Sequence, residues 1–374
     1  GGAASFAVYP VLASPWLWAG TRASWLLVHA AEFFARMPGA SIELPAIRGA
    51  LAAMFFAGLF AFALCSGRWR WLGVAAPIAV LWALLAPVVV RPQALDVTFL
   101  AVGQGDAIVV SSAGHHALID GGGIAGGSDV GARIVRPFLH EERISSLDLA
   151  VLSHPHPDHA LGLISVLPKV PTRELWLGAG AEDGPLLAAV RSAAGDATVK
   201  EVEAGSAPFQ LGLAKVEVLG PPKDRVLLEG VNDRSVVLRV SFGEVSILLT
   251  GDIEAAAEET LETGPVTVMK APHHGSSTSS SKALLERARP KIVVFCVGRK
   301  NRFHFPDEGV IERYREVGAE CYRTDSDGAV RILSDGRDVR VVTWHPHEQP
   351  ADVKDSPAQL AQVDQTPQPW SDDP

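Results

Sequence analysis

Ser153-His154-Pro155-His156-Pro157-Asp158-His159 is the stretch on which the reading of this chain turns. It spells H-x-H-x-D-H, with three imidazoles and a carboxylate inside six residues. It follows Leu147–Leu152, an apolar run that predicts a short buried strand. A loop at that strand end turns His154 and His156 toward one point and Asp158 and His159 toward another. Imidazole nitrogen with carboxylate oxygen is a donor set for Zn, Mn or Fe. A chance surface cluster is the plainer alternative. Three of the chain's 12 histidines at this spacing weigh against it.

Other strand-like runs deliver the same kinds of group. Ala117–Ile119 ends in Asp120-Gly121-Gly122-Gly123. Val245–Leu249 ends in Thr250-Gly251-Asp252, where a carboxylate beside a glycine reaches into a shared site and bridges two ions. A lone Asp in that place is more often a turn residue. Val268–Ala271 runs into Pro272-His273-His274-Gly275-Ser276-Ser277. Each piece alone is weak, and the order H-x-H-x-D-H, strand-Gly-Asp, strand-His-His is strong.

The rest of the chain divides by composition. It has 374 residues, a mean hydropathy of +0.18 and a net charge of −9. That charge excludes a generally basic nucleic-acid binder. Three scattered cysteines, Cys65, Cys296 and Cys321, exclude a disulfide scaffold and a cysteine zinc module. Residues 1–92 carry only eight charged side chains, and 49–67 and 71–90 carry none. Runs of about 20 apolar residues predict transmembrane helices. Arg68 and Arg70 in the short link place it in the cytoplasm. The chain beyond the second span then lies outside the cytoplasmic membrane. Residues 1–92 are thus expected to be the C-terminal part of a membrane domain with about two transmembrane helices. The start at Gly1 predicts a fragment or processed product.

Residues 93–345 mix strand and short-helix patterns with several hairpins, which fits an α/β domain of antiparallel or mixed sheets flanked by helices better than a strict βαβ alternation. Helices are expected over Pro185–Ala193, Glu254–Glu262, Ser279–Arg287 and Glu308–Val317, and after an N-cap at Ser128. This region holds 26 Lys plus Arg against 34 Asp plus Glu. Residues 346–374, rich in Pro, Gln and Asp, predict a disordered acidic tail.

These motifs resemble the metallo-β-lactamase superfamily, with Asp120 in its first motif, His154 to His159 in its second, Asp252 in its fourth and His273/His274 in its fifth. More narrowly, Val102-Gly-Gln-Gly-Asp-Ala-Ile, LIDGG, SHPHPDHALGL, LLTGDIE, KAPHHGSSTSS, Asn301–Pro306 and Tyr322-Arg-Thr-Asp-Ser-Asp-Gly resemble the ComEC/Rec2 family of DNA-uptake proteins over about residues 94–335. The resemblance implies a metallo-β-lactamase-like αβ/βα sandwich of two mixed sheets flanked by helices, preceded by transmembrane helices. It also implies a two-metal hydrolase of DNA phosphodiesters, with Mn or Zn. DNA, the membrane and other uptake proteins are the implied partners.

On that resemblance one ion takes His154, His156 and Asp252. The other takes Asp158, His159, Asp252 and one His of the pair, with His274 the first choice. His273 then donates to the phosphate or leaving oxygen, although the sequence does not order the pair. Asp158, Asp252 and His273 are the implied catalytic residues. Asp120 orients a ligand histidine rather than binding metal. Asn232 stands where many relatives have a third-motif histidine, as a weak oxygen ligand or through water. His304 is one position off the relatives' Gly-His-Pro and is not assigned.

Lys270, Ser276 and Ser277 are candidate phosphate contacts, with a loop and helix cap the plainer reading of Ser276–Ser280. Arg287, Arg289, Lys291, Arg299, Lys300 and Arg302 form the densest basic stretch, either a DNA-tracking patch or an ordinary solvated face. Two further readings of function stand beside the nuclease. One is a DNA-guiding transport component with a vestigial metal site. The other is a hydrolase of small esters or phosphodiesters.

Overall fold

The computed structural model describes residues 94–345 except 182, 225–227 and 229, together with 22, 24, 49–64, 67, 71 and 73–80. Before residue 90 the chain forms one unit and after it another. In the first unit, helix α1 (Gly49–Leu64) occupies 16 residues of the first charge-free run, and residues 73–80 of the second run are helical. Among the described residues no helix is long and apolar enough to cross a membrane. The remainder of both runs, the Arg68–Arg70 link and the expected disordered tail lie outside the described residues.

The second unit contains two mixed sheets. The first comprises β1 (Leu95–Phe99), β2 (Ile108–Ser112), β3 (His115–Ile119), β4 (Leu147–Leu152), β5 (Thr172–Gly178) and β6 (Thr198–Val202), extended by β14 (Val330–Ser334) and β15 (Val339–Thr343). Its order is β15-β14-β1-β2-β3-β4-β5-β6. The second comprises β7 (Phe209–Leu211), β8 (Ala214–Gly220), β9 (Val237–Phe242), β10 (Val245–Leu249), β11 (Val268–Lys270), β12 (Ile292–Phe295) and β13 (Glu320–Arg323), in the order β13-β12-β11-β10-β9-β8-β7. Both halves follow one plan. A hairpin, β2–β3 or β9–β10, leads into three parallel pairings, β3–β6 or β10–β13.

The period of two along each strand sorts side chains into layers. Leu149 and Val151 of β4 enter the core between the sheets with Val97, Phe99, Leu238, Ile247 and Val294. Ala150 and Leu152 face the opposite way, under helices α2 (Arg136–Glu141), α3 (Pro157–Val166) and α4 (Pro185–Ala193). On the second sheet Leu248, Met269 and Val293 face outward under α5 (Ala255–Thr260), α6 (Lys282–Ala288) and α7 (Glu308–Glu316). The αβ/βα sandwich expected from the motifs is the observed architecture.

Local differences have local causes. β6 reads Thr-Val-Lys-Glu-Val and buries only Val202, so its sequence carries no apolar alternation. The helical segment after Gly127 is capped by Asp129, whose Oδ1 accepts the Ala132 N–H at 2.9 Å, rather than by Ser128. The histidine motif is not all loop. Pro157 opens α3, where its missing N–H costs nothing, and His156 is the extended N-cap.

That helix is placed by a backbone contact. A Cβ on Gly162 would lie 1.9 Å from the carbonyl oxygen of Gly121, and the Gly121 N–H donates to His159 O at 2.7 Å. Gly162→Ala is expected to cost about 1–3 kcal/mol, because neither backbone can yield without moving the motif. Urea unfolding with an unchanged midpoint would refute this.

Candidate metal centre

Both halves present their chemistry at the C-terminal ends of their parallel strands. In each, the first parallel strand ends in an Asp and the next in histidines. β3 leads to Asp120 and β4 to His154, His156 and His159. β10 leads to Asp252 and β11 to His273 and His274. The Val236 N–H donates to Ser153 O at 2.9 Å, which ties the end of β4 to the second sheet.

Asp252 sits at the meeting point. Its Oδ2 lies 3.2 Å from His159 Nε2, 3.2 Å from His274 Nε2, and 4.0 Å from both His154 Nε2 and His273 Nε2. Asp158 Oδ2 lies 3.5 Å from His274 Nε2 and 4.0 Å from His159 Nε2. One donor atom from each of Asp158, His159, Asp252 and His274 lies within 4.8 Å of the others. His154 Nε2 and His156 Nδ1 stand alongside, 3.1 Å apart.

This arrangement suits a divalent cation. Both ring nitrogens of His274 are buried without a hydrogen bond among the described residues. Burial alone would lower the pKa of His274, yet the Asp252 carboxylate raises it to about 9. Burial is likewise overcome at His159, held well above the ordinary range by Asp252 and Asp120. The acidic groups thus draw protons onto the imidazoles, and a bound cation would displace those protons. His154, by contrast, is driven well below the usual range by burial and the neighbouring charge of His159. A neutral imidazole is the form that ligates metal.

Around these groups lies a layer of fixed partners. Asp120 Oδ2 is 2.8 Å from His159 Nδ1 and accepts the Ser153 hydroxyl at 2.7 Å, while its Oδ1 accepts the Ser153 N–H at 2.7 Å. With these bonds Asp120 sets the His159 ring from behind. Asp120→Asn is expected to weaken metal affinity about 10–100-fold, read by competition with a chromogenic chelator. An unchanged affinity would remove the orienting role.

Asn232 Nδ2 donates to Glu254 Oε1 at 3.2 Å, and its buried Oδ1 accepts no hydrogen bond among the described residues. Glu254 Oε1 is also 3.0 Å from His273 Nδ1. The His273-His274 pair sits in the left-handed region, at φ 44° and 55°. Their side chains therefore diverge. His274 is buried, and His273 is partly exposed.

Lys270, a candidate phosphate contact, is turned inward. It has no exposed surface, and its Nζ contacts Asp106 Oδ2 at 2.9 Å, Gly251 O at 2.7 Å and Asp252 Oδ1 at 3.1 Å. Ser276 is 5% exposed and shares a hydrogen bond with Thr278, while Ser277 is exposed. The run ends in a helix cap, since Ser281 Oγ accepts the Leu284 N–H at 3.3 Å. Of the basic stretch, Arg287 donates to Glu258 O, whereas Arg299, Lys300 and Arg302 line a cleft beside Asp158.

Sequence reasoning gave Asp106 and Glu254 no role. Asp106 belongs to the Val102–Ile108 motif, and its buried carboxylate contacts Lys270 and lies 3.4 Å from His274 Nδ1. A charged residue following two glycines between strands was the available signal.

The sequence profile of the metallo-beta-lactamase superfamily matches residues 100–299. The chain is 32% identical over 239 residues to recombination protein 2 of Haemophilus influenzae, covering 63% of this chain and 28% of that protein. It is 26% identical over 272 residues to ComE operon protein 3 of Bacillus subtilis, covering 68% and 35%. Against competence protein ComA of Neisseria gonorrhoeae it is 32% identical over 253 residues, covering 65% and 33%. The chain thus spans about a third of the length of these curated relatives. On this profile and these relatives, the chain belongs to the metallo-beta-lactamase superfamily and, within it, to the ComEC/Rec2 family.

Proposed function

We propose that the chain is a metal-dependent nuclease of a DNA-uptake machinery, held in the bacterial inner membrane through residues 1–92. In this reading it hydrolyses phosphodiester bonds of the strand not taken up, on the outer side of that membrane. The observation that carries the reading is the convergence of Asp158, His159, Asp252 and His274 from both sheets. The charge-free runs 49–67 and 71–90, with Arg68 and Arg70 between them, support the anchored topology. The names of the relatives, competence and recombination proteins, support the setting.

Asp158, His159, Asp252 and His274 would hold one divalent ion. His154, His156 and Asp252, with Asn232 near them, would hold a second. Mn or Zn bound there supplies Lewis-acid polarisation and charge neutralisation at a phosphodiester. The chain's own groups do the positioning. Lys270 fixes the Asp252 carboxylate, and the Ser235 hydroxyl, which accepts the Asp252 backbone N–H at 3.2 Å, fixes its backbone. Glu254 orients His273, whose partly exposed ring is placed to give a proton to the leaving oxygen.

The test uses the full 374-residue chain, stripped of metal and reloaded with Mn or Zn, on single-stranded and duplex DNA. Metal-dependent cleavage is expected, and is lost in His156→Ala and Asp252→Ala. No cleavage by the unmutated chain would move the reading to a DNA-guiding component. Cleavage surviving both substitutions would belong to a contaminant.

A further inference from the structure

A cleft of about 520 Å³ is lined in part by Asp158 of the candidate metal cluster. One wall is the loop 298–303, with Arg299, Lys300, Arg302 and Phe303. The other is the glycine-rich loop after β3, with Ile124. Arg299, Lys300 and Arg302 are exposed, and Phe303 is 48% exposed. The Arg302 guanidinium lies 4.8 Å over the Phe303 ring. Phe303 stacks on Phe305 with centroids 5.5 Å apart and planes at 18°. Phe305 in turn meets the His273 ring edge-on at 5.6 Å. An aromatic row therefore runs from the cleft to the metal centre, with cations along its outer end.

A half-exposed aromatic ring, with a guanidinium already over it and two further cations beside it in an otherwise acidic domain, fits a ligand with flat rings joined by phosphates. The cleft's volume is that of a small-molecule site, which admits nucleotides of one strand and excludes a stacked duplex. Base–aromatic stacking and a basic track are the two parts of a single-strand binding surface. We propose that this cleft holds the single-stranded DNA next to the scissile phosphate, one base stacked on Phe303 and the backbone held by Lys300 and Arg302. The proposal rests on the nuclease reading for its substrate and adds the strand state that the site selects.

Binding is read without metal, by fluorescence anisotropy of a labelled oligothymidine with the full chain in EDTA. Phe303→Ala is expected to weaken it about fivefold or more, and Phe303→Trp to restore it. Lys300→Gln with Arg302→Gln is expected to lower the slope of log affinity against log salt by about 0.7 for each phosphate no longer neutralised. A duplex of the same length should be insensitive to Phe303→Ala. Unchanged oligothymidine binding in Phe303→Ala, or an equal loss on duplex, would overturn the stacking site. An unchanged salt slope would overturn the backbone contacts. Because these measurements need no catalysis, an absence of metal-dependent cleavage sinks the nuclease reading while the cleft's occupant stands or falls on binding alone.

Discussion

Lys270→Met is expected to remove about 3–5 kcal/mol of folding stability, although the substitution keeps most of the side chain's volume. The lysine has no exposed surface and lies between the carboxylates of Asp106 and Asp252, which are 1% and 2% exposed. Burial alone would lower its pKa, yet Asp106 and then Asp252 raise it above the ordinary lysine range. Without the ammonium both carboxylates stay buried with a major partner gone, and desolvation is no longer offset. Because the folded pKa is raised, the lysine's contribution is complete below the ordinary lysine range and is lost only as pH rises through the folded value. Urea unfolding at neutral pH measures the loss. Asp106→Asn combined with Lys270→Met should recover part of it, since one uncompensated charge leaves with its partner. A loss under about 1 kcal/mol, the range of an exposed pair, would show that water reaches the ammonium.

Asp252→Asn is expected to lower metal affinity by more than about 100-fold, beyond the effect of altering an outer partner such as Asp120. The amide keeps the shape of the carboxylate but not its charge. Its Oδ2 lies 3.2 Å from both His159 and His274, nearer to each than Asp158 Oδ2 is. Burial opposes the charged form of Asp252, while His274, His159 and Lys270 hold its pKa well below the carboxylate range. Those three cationic partners favour its charged form. Metal retained after dialysis, measured by atomic emission, is the primary reading. Circular dichroism checks that the fold survives. A folded variant that retains full metal would remove Asp252 from the centre.

The strands that build the core were legible where a sequence alternates or runs apolar. Leu147–Leu152 and Val245–Leu249 were placed to the residue. β5, β6, β13 and β15 were not: the last three are edge strands, which expose one face and carry polar residues there, and β5 opens on the polar run Thr172-Arg173-Glu174. Strand-end chemistry marked Asp252 and the His273-His274 pair as candidates, while the ligand set came from the resemblance and the order of the pair stayed open. The helical start at Pro157 was not, because the histidines drew the reading toward a loop. Lys270 misled for a different reason. A lysine beside candidate ligands looks the same in sequence whether it faces a phosphate or a pair of buried acids, and only the partner Asp106, some 160 residues earlier, decides between them. Asn232 resists assignment for the same reason, since its free Oδ1 and its bond to Glu254 are tertiary facts.

The division of the candidate ligands between two sheets would tie two equilibria together. Asp158 and His159 come from the half built on β3 and β4, and Asp252 and His274 from the half built on β10 and β11. Neither sheet has a complete set. A cation seated among all four would therefore favour the closed sandwich, and what it contributes by mass action would appear as resistance to separation of the layers. Occupancy of the centre and integrity of the core between β4 and β10 become one thermodynamic quantity. A chain starved of metal is in this sense also a chain whose two halves are more loosely clasped.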